Sequence, residues 1–347
     1  MKQGAVTSFD IAQAAGVSQA TVSRALRGSS RVRPETRERI LKIAREMNYY
    51  VNRSAANLRT QRSSTIALLL FDESTDHESE INPFFLNMLG SITTAAANLG
   101  YEVLVSFQQR SDDWHIQYEF SNRADGLLIL GYGDYVTYRP KLEALAEAKA
   151  NFIIWGPIIE DQPGHSVGCD NELGAFEAVT HLAGIGRRRI AFVGNASQHS
   201  PEFHARLLGY RRALGHAGLA ERDELCVGAD NTEESGIAAV EGLLGAGVEF
   251  DGLFAASDQI AIGAMRALQA GGLAIPRDVS VVGFDDIPRA ASVTPALTTV
   301  QQNTRTAGKL LVTNLVKLIE GETVESTQMP PKLIVRKSCG APPARNT

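Results

Sequence analysis

From residue 65 onward the chain alternates short buried-strand patterns with helical ones, and it does so in two similar rounds. The first round opens with Ile66-Ala-Leu-Leu-Leu-Phe71, continues through a helical pattern from Phe85 to Leu99, and returns to a strand pattern at Tyr101-Glu-Val-Leu-Val105. The second opens with Arg189-Ile-Ala-Phe-Val-Gly194, passes through a helical stretch from Gly209 to Gly218, and reaches Asp251-Gly-Leu-Phe-Ala-Ala256, an echo of Asp125-Gly-Leu-Leu-Ile-Leu130. Strands alternating with helices predict a parallel sheet covered on both faces. Two such rounds predict two doubly wound α/β lobes with a cleft between them, where ligands collect at the carboxyl ends of strands.

The 347 residues, 44% hydrophobic and 21% charged, are enough for more than one domain. No apolar run approaches the roughly 18 residues of a membrane span, and Met1 to Val17 lacks a signal-peptide pattern, so no membrane partner and a cytoplasmic location are expected. Cys169, Cys226 and Cys339 are widely separated and form no Cys-x-x-Cys pair, which argues against a disulfide framework or a structural zinc site. The net charge of -5 hides an asymmetry: residues 1–62 carry +8 and the remainder -13. A basic head on an acidic body is the distribution of a nucleic-acid reader attached to something else.

Within the head, Thr7 and Asp10 have the spacing of a capping box, which predicts a helix from Phe9 to Ala15 ended by Gly16. Ser18 can cap a second helix, Gln19 to Arg27, and in the run Gly16–Gly28 the apolar residues Val17, Val22 and Leu26 share a face. Pro34 at a first helical position opens a third, which supplies Ile40, Ile43, Ala44 and Met47 to cover the pair. Two short helices joined by so tight a turn read as a helix-turn-helix, whose second helix lies in the DNA major groove. Gln19 can pair with adenine, Arg24 can take guanine bidentately and Ala20 can meet a thymine methyl, with Thr21 and Ser23 at phosphates. The pattern alone also fits a charged three-helix unit that docks on a protein or faces solvent.

Residues 7–62 resemble the head of the lactose/galactose repressor (LacI/GalR) family of bacterial transcription regulators. The resemblance is carried by Asp10-Ile-Ala, Ala15-Gly-Val-Ser, Thr21-Val-Ser-Arg-Ala-Leu, Glu35-Thr-Arg-Glu-Arg-Ile and Asn48-Tyr-Tyr-Val-Asn-Arg. It implies that Gln19, Ala20 and Arg24 set operator choice; Arg33 departs from it, standing where the family more often has a serine that caps the third helix. The polar stretch Asn52 to Ser64, with Leu58 its one large apolar residue, reads by itself as a flexible tether. The resemblance implies a hinge helix on DNA, with Ala55 and Leu58 in the minor groove and Arg59 and Arg62 near phosphates. The expected DNA-contacting set is thus Thr7, Ser18, Gln19, Ala20, Thr21, Ser23, Arg24, Asn52, Arg53, Ala55, Leu58 and Arg59.

Enzyme motifs are missing from the body: it has no Gly-x-Gly-x-x-Gly after its first strand, no phosphate-loop lysine, no His-Glu-x-x-His and no Gly-x-Ser-x-Gly. No catalytic residue, metal site or cofactor is expected; His199 and His204, five apart beside Glu202, have a poor spacing for a shared metal. Four strand-end clusters are candidates for a binding cleft: Asn82-Pro-Phe-Phe85, Trp155-Gly156, Arg206 ahead of Gly209-Tyr210, and Asp285-Asp286. Aromatic plates with carboxylate, amide and guanidinium groups suit a saccharide. The alternatives are core packing for Phe84 or Phe85, a structural ion pair for Arg206 and Asp285, and a purine or other metabolite as ligand.

The family resemblance extends over the body through Arg206-Leu-Leu-Gly-Tyr210, Ala256-Ser-Asp-Gln-Ile-Ala-Ile-Gly263, Pro276-Arg-Asp-Val-Ser-Val-Val-Gly-Phe-Asp-Asp286 and Leu297-Thr-Thr-Val300. It implies a periplasmic-binding-protein-like body in which Arg206 and Asp285 contact the effector. Ser257 stands where some members use asparagine, Gly156 where many carry an acid, and Trp155 is not the usual residue. The expected effector-contacting set is Phe84, Phe85, Trp155, Asp170, Arg206, Ser257 and Asp285. The expected organisation is a DNA-binding domain at 1–52, a hinge at 53–64 and an effector-binding and dimerisation domain at 65–347. Its N-lobe would comprise 65–159 and 289–320 and its C-lobe 160–288 and 321–344, with crossings near 160, 288 and 322. No leucine heptad follows Cys339, so a homodimer on a near-palindromic double-stranded operator is the expected assembly.

Overall fold

The computed structural model of the chain describes residues 6–26, 29–47, 49, 62–71, 81–108, 114, 116–131 and 134–340. The chain divides into two units, Met1–Ser63 and Ser64–Thr347.

The head contains α1 (Ser8–Ala15), α2 (Gln19–Leu26) and α3 (Pro34–Glu46). The capping box at its start is formed in both directions: the Thr7 hydroxyl accepts from the Asp10 N–H, and the Asp10 carboxylate accepts from the Thr7 N–H at 2.8 Å. Gly16 ends α1 in the left-handed region at φ 62°, where a side chain would be strained. Ser18 Oγ accepts the Thr21 N–H at 3.2 Å and so caps α2. The shared core is Ile11, Ala12, Ala15, Val22, Ala25, Val32, Ile40 and Ala44, with Val17, Leu26, Ile43 and Met47 half-buried around it. Arg33 supplies no side-chain cap to α3, in keeping with the missing serine; Arg37 instead reaches back to the Ser29 carbonyl.

The body contains two six-stranded sheets of the same design. In the N-lobe, β1 (Thr65–Phe71), β2 (Glu102–Gln108), β3 (Gly126–Leu130), β4 (Phe152–Trp155), β5 (His165–Cys169) and β11 (Thr327–Met329) pair in the order β11-β5-β4-β3-β1-β2, all parallel. In the C-lobe, β6 (Ile190–Val193), β7 (Cys226–Val227), β8 (Gly252–Ala255), β9 (Ser280–Asp285), β10 (Thr298–Gln301) and β12 (Lys332–Ile334) pair in the order β12-β10-β9-β8-β6-β7, with β12 antiparallel to β10. Leu68 of β1 sits beside Leu128 of β3, and both faces of these strands are buried, as their unbroken apolar runs require.

The helices are α4 (Pro83–Asn98), α5 (Tyr135–Glu147), α6 (Asn171–Gly184), α7 (Pro201–His216), α8 (Glu233–Gly245), α9 (Asp258–Ala270) and α10 (Thr304–Ile319). One apolar core runs through both lobes, and a second lies beneath α5 on the outer face of the N-lobe sheet. Helices α8 and α9 touch closely enough that a Cβ on Gly263 would come within 2.0 Å of the Glu233 carbonyl oxygen, so only glycine fits there.

The lobe crossings differ from the sequence expectation. Strand pairing places them after Cys169, after Gln301 and after Met329, rather than near 160, 288 and 322. The expected boundaries coincided with turn signals such as Gln162-Pro163-Gly164 and Ile287-Pro288. Those turns lie in connections that carry the chain back to start a parallel neighbour within the same lobe, β5 beside β4 and β10 beside β9, and only then does the backbone cross.

Candidate functional sites of the head and the body

On the head, Ala20 and Arg24 project from α2 into solvent, and Gln19, Thr21 and Ser23 are partly covered beside them. Gln19 donates one amide hydrogen to Ser8 Oγ at 3.3 Å, which leaves its Oε1 and second N–H free to address an adenine edge together. Thr7 and Ser18 are exposed but already serve as caps, and the Ser18 hydroxyl lies 2.9 Å from that of Thr21. Those hydroxyls hold the start of α2 in place more than they offer free donors. Asn52, Arg53, Ala55, Leu58 and Arg59 lie outside the described residues.

In the body, the C-lobe candidates converge on Arg206. It is buried on α7, where its Nε donates to Asn171 Oδ1 at 2.9 Å, Nη1 donates to the Ala256 carbonyl, and Nη2 lies 3.5 Å from Asp285 Oδ1. Phe284 covers the face of the guanidinium at 3.8 Å, and Phe203 approaches it at 5.2 Å. Asp285 Oδ1 also accepts from Gln302 Nε2 at 2.7 Å, at the second crossing. Burial pushes the Asp285 carboxyl up to about 6, against the opposing pull of Arg206 and Gln302. Asp285 and Asp286 both have positive φ, 113° and 54°, in a region that costs of order 1–3 kcal/mol for such residues. The strain splits the pair: Asp285 enters the Arg206 network, whereas Asp286 turns to Arg336 at 2.6 Å and Gln301 at 2.7 Å.

Ser257 is fully buried and caps α9 through Ile260 N–H at 3.3 Å. Beside it, Asp258 accepts from Thr299 Oγ1 at 2.5 Å and from the Ile287 N–H at 2.8 Å. Burial first, and the nearby Asp285 charge second, hold Asp258 well above the usual carboxylate range. Asp170 caps α6 by accepting from Leu173 N–H at 2.9 Å and sits at the edge of a groove of about 420 Å³ that also borders Pro157, Arg212 and Gln328.

The N-lobe candidates are aromatic. Phe84 packs on Trp155, with ring centroids 5.8 Å apart, and on Phe85 at 5.4 Å. Phe84 and Trp155 are only 4% and 5% exposed, so the core-packing reading describes them, and the half-buried Phe85 is the ring with surface left for a ligand. Asn82 fixes the start of α4 by accepting the Phe84 N–H at 3.0 Å.

Asn171, Asp258 and Gln302 escaped the sequence reading. Each lies within three residues of a strand end, the signal that pointed to Asp285 and could have pointed to them. Cys169 and Cys339 are buried and Cys226 half-buried; burial raises Cys169 to about 12, which leaves it an unreactive thiol. His199 turns Nδ1 toward Asp134, 2.7 Å away in the other lobe. Among the described residues, no helix is long and apolar enough to cross a membrane.

Comparison with known proteins identifies both units. Residues 9–52 match the model of bacterial regulatory proteins of the lacI family, and residues 179–339 match that of a periplasmic binding protein-like domain. The chain is 34% identical over 338 residues to the HTH-type transcriptional regulator CelR of Thermobifida fusca, covering 94% of this chain and 96% of that one. Among solved structures, it is similar to a lac repressor dimer bound to operator and the anti-inducer ONPF (TM-score 0.82, 28% identity, 97% of this chain and 100% of that one). It is also similar to a CelR–cellobiose complex (TM-score 0.71, 32% identity, 96% and 99%). With a helix-turn-helix head and a two-lobed ligand-binding body, the chain belongs to the lacI family of bacterial regulatory proteins and is a DNA-binding transcriptional regulator, not an enzyme.

Proposed function

We propose that the protein is a dimeric, cytoplasmic regulator of carbohydrate-use genes whose operator affinity is set by a neutral saccharide bound between the lobes. The observation that carries this reading is the buried Arg206–Asp285–Asn171–Gln302 network at the strand ends of the C-lobe. Such a set offers directional donors and acceptors for hydroxyl groups. Its cation is matched by Asp285 and its N–H groups engage Asn171 and Ala256, so the network holds no surplus positive charge for a phosphate. The partly open Phe85 ring supplies an apolar plate on the opposite lobe. The similar CelR structure is a cellobiose complex, and the similar lac repressor is a dimer on operator, which supports both halves of the reading.

In this reading α2 of each protomer enters a major groove, and Gln19, Ala20 and Arg24 read base edges of a near-palindrome. Ligand and operator affect each other with a reciprocal coupling of about 1–3 kcal/mol. The test is a gel-shift series on the gene's own upstream DNA with neutral mono- and oligosaccharides, sugar phosphates and purines added in turn. A neutral saccharide is expected to change the shift. If no compound changes it or raises the melting temperature, the ligand half of the proposal fails; a response to purines alone replaces the saccharide with a nucleobase. Arg24→Ala, with its fold intact by circular dichroism, should abolish the footprint, and a retained sequence-specific footprint would sink the assignment of α2.

A further inference from the structure

We propose that Asp134 and His199 form a clasp that holds the two lobes of the body together at the cleft, on the side away from the three crossings. Asp134 lies in the N-lobe, where it caps α5 directly after β3; His199 lies in the C-lobe, in the loop between β6 and α7. Two hydrogen bonds join the lobes at this point. His199 Nδ1 meets Asp134 Oδ1 at 2.7 Å, and the Tyr135 N–H donates to the His199 carbonyl at 2.9 Å.

Both ends of the clasp are held in place before they meet. Asp134 accepts from the Thr137 N–H at 3.1 Å and from Thr137 Oγ1 at 2.8 Å. Its partial burial works to raise the pKa, but the hydrogen bonds from His199 and Thr137 outweigh this and bring it to about 2, so the acceptor is charged at neutral pH. On the other side, the His199 N–H donates to Ser197 Oγ at 3.2 Å and the Ser200 N–H to the Ser197 carbonyl at 3.0 Å, which sets the loop ahead of α7.

The position in the sheets gives the pair its leverage. The crossings leave from β5, β10 and β11, near one edge of each sheet, whereas the clasp follows β3, two strands in from β5, and β6, three strands in from β10. At about 4.8 Å per strand the clasp stands roughly 10–14 Å from that edge, so an opening rotation of about 10° separates its partners by about 2 Å. Neither hydrogen bond survives such a separation. The pair therefore reports and resists opening, and a residue near the crossings could do neither. Helix α7 begins just after His199 and carries Arg206 five residues past its Pro201, so one rigid element links the clasp to the buried network. That ligand entry and exit run through this clasp rests on the ligand-binding reading above; the clasp itself does not.

The experiment is amide hydrogen exchange with residue-level fragmentation on the full-length protein without added ligand, so its outcome is independent of any ligand. A first-turn helix amide such as Tyr135 ordinarily exchanges quickly, because it has no partner within its own helix. In the wild-type protein Tyr135 should be protected by the His199 carbonyl. His199→Ala, a change in the opposite lobe, should speed Tyr135 exchange at least about tenfold while Leu142 and Leu145 of α5 and the amides of β6 keep their wild-type rates. Asp134→Asn retains a good helix cap but removes the charge and one acceptor oxygen, and it should speed Tyr135 as well. Unprotected Tyr135 in the wild-type protein, or wild-type protection in His199→Ala, overturns the proposal.

Discussion

The two lobes share one strand order and spend it differently. Strand for strand, β1, β2, β3, β4, β5 and β11 of the N-lobe correspond to β6, β7, β8, β9, β10 and β12 of the C-lobe. Helices α4 and α7 follow the corresponding strands β1 and β6, and each starts on a proline: Pro83 leads into Phe84 and Phe85, Pro201 into Phe203 and Arg206. In the N-lobe the aromatic side chains pack on Trp155 and stay apolar. In the C-lobe the equivalent helix buries a guanidinium among Asn171, Asp285 and the Ala256 carbonyl. One topology thus supports an apolar wall and a polar, hydrogen-bonded one, and a ligand held between them is oriented by the C-lobe.

If that division is right, its sharpest break is Arg206→Ala. Removing one member of a buried pair leaves Asp285 without its counter-ion and strips Asn171 Oδ1 and the Ala256 carbonyl of their donor. The expected loss is about 3–5 kcal/mol, measured by urea unfolding of the full chain. A loss under about 1 kcal/mol would mean that the network does not hold the C-lobe together and that the contrast between the walls is only cosmetic.

The next effect separates the lobes by pH. Asp285 is raised from 3.8 to about 6 by burial, so between those values the folded state holds a proton that the unfolded state has released. Its contribution to stability is fully present below the unfolded value and is lost as pH rises through about 6. Between pH 5 and 7 this amounts to on the order of 1 kcal/mol of declining stability from the one group. Asp258, raised by burial and by the Asp285 charge, acts in the same direction. Asp285→Asn should flatten part of this decline, read as urea midpoints at pH 5, 6 and 7, whereas Phe84→Leu should shift all three midpoints equally. Parallel lines for wild type and Asp285→Asn would show that Asp285 is not the titrating group.

Much of this arrangement was legible in the sequence, for reasons that differ by region. The head was read closely because its signals are local: the Thr7–Asp10 box, Gly16 and Ser18 act over three or four residues and formed as expected. The two-lobed body followed from short unbroken apolar runs alternating with helical stretches, a pattern that a parallel sheet covered on both faces imposes on each strand separately. The crossings were misplaced because lobe membership depends on which strand pairs with which, as β5 with β4 and β11 with β5, and nothing local to Pro163 or Pro288 encodes that. Asp285 and Arg206 were found, but Asn171 and Gln302 were not, since a buried amide earns its place only through partners 35 and 17 positions away. Phe84 and Trp155 look like ligand plates in sequence and prove to be each other's packing partners.

The smallest effect tests the correspondence at a single pair of helix starts. Asp134 and Ser257 occupy equivalent places, each capping the helix that follows the third strand of its lobe, through Thr137 N–H and Ile260 N–H respectively. Their surroundings differ, because Ser257 is fully buried while Asp134 keeps part of its surface in solvent. Ser257→Ala leaves the Ile260 N–H without its cap in a place water does not reach, and should cost about 1 kcal/mol. Asp134→Asn preserves a capping oxygen and a solvated site, so the same urea titration should register only a few tenths of a kcal/mol. Equal losses in the two variants would mean that burial does not distinguish these caps. The ranking predicted here holds only if the C-lobe start is sealed and the N-lobe start is kept accessible for contact across the cleft.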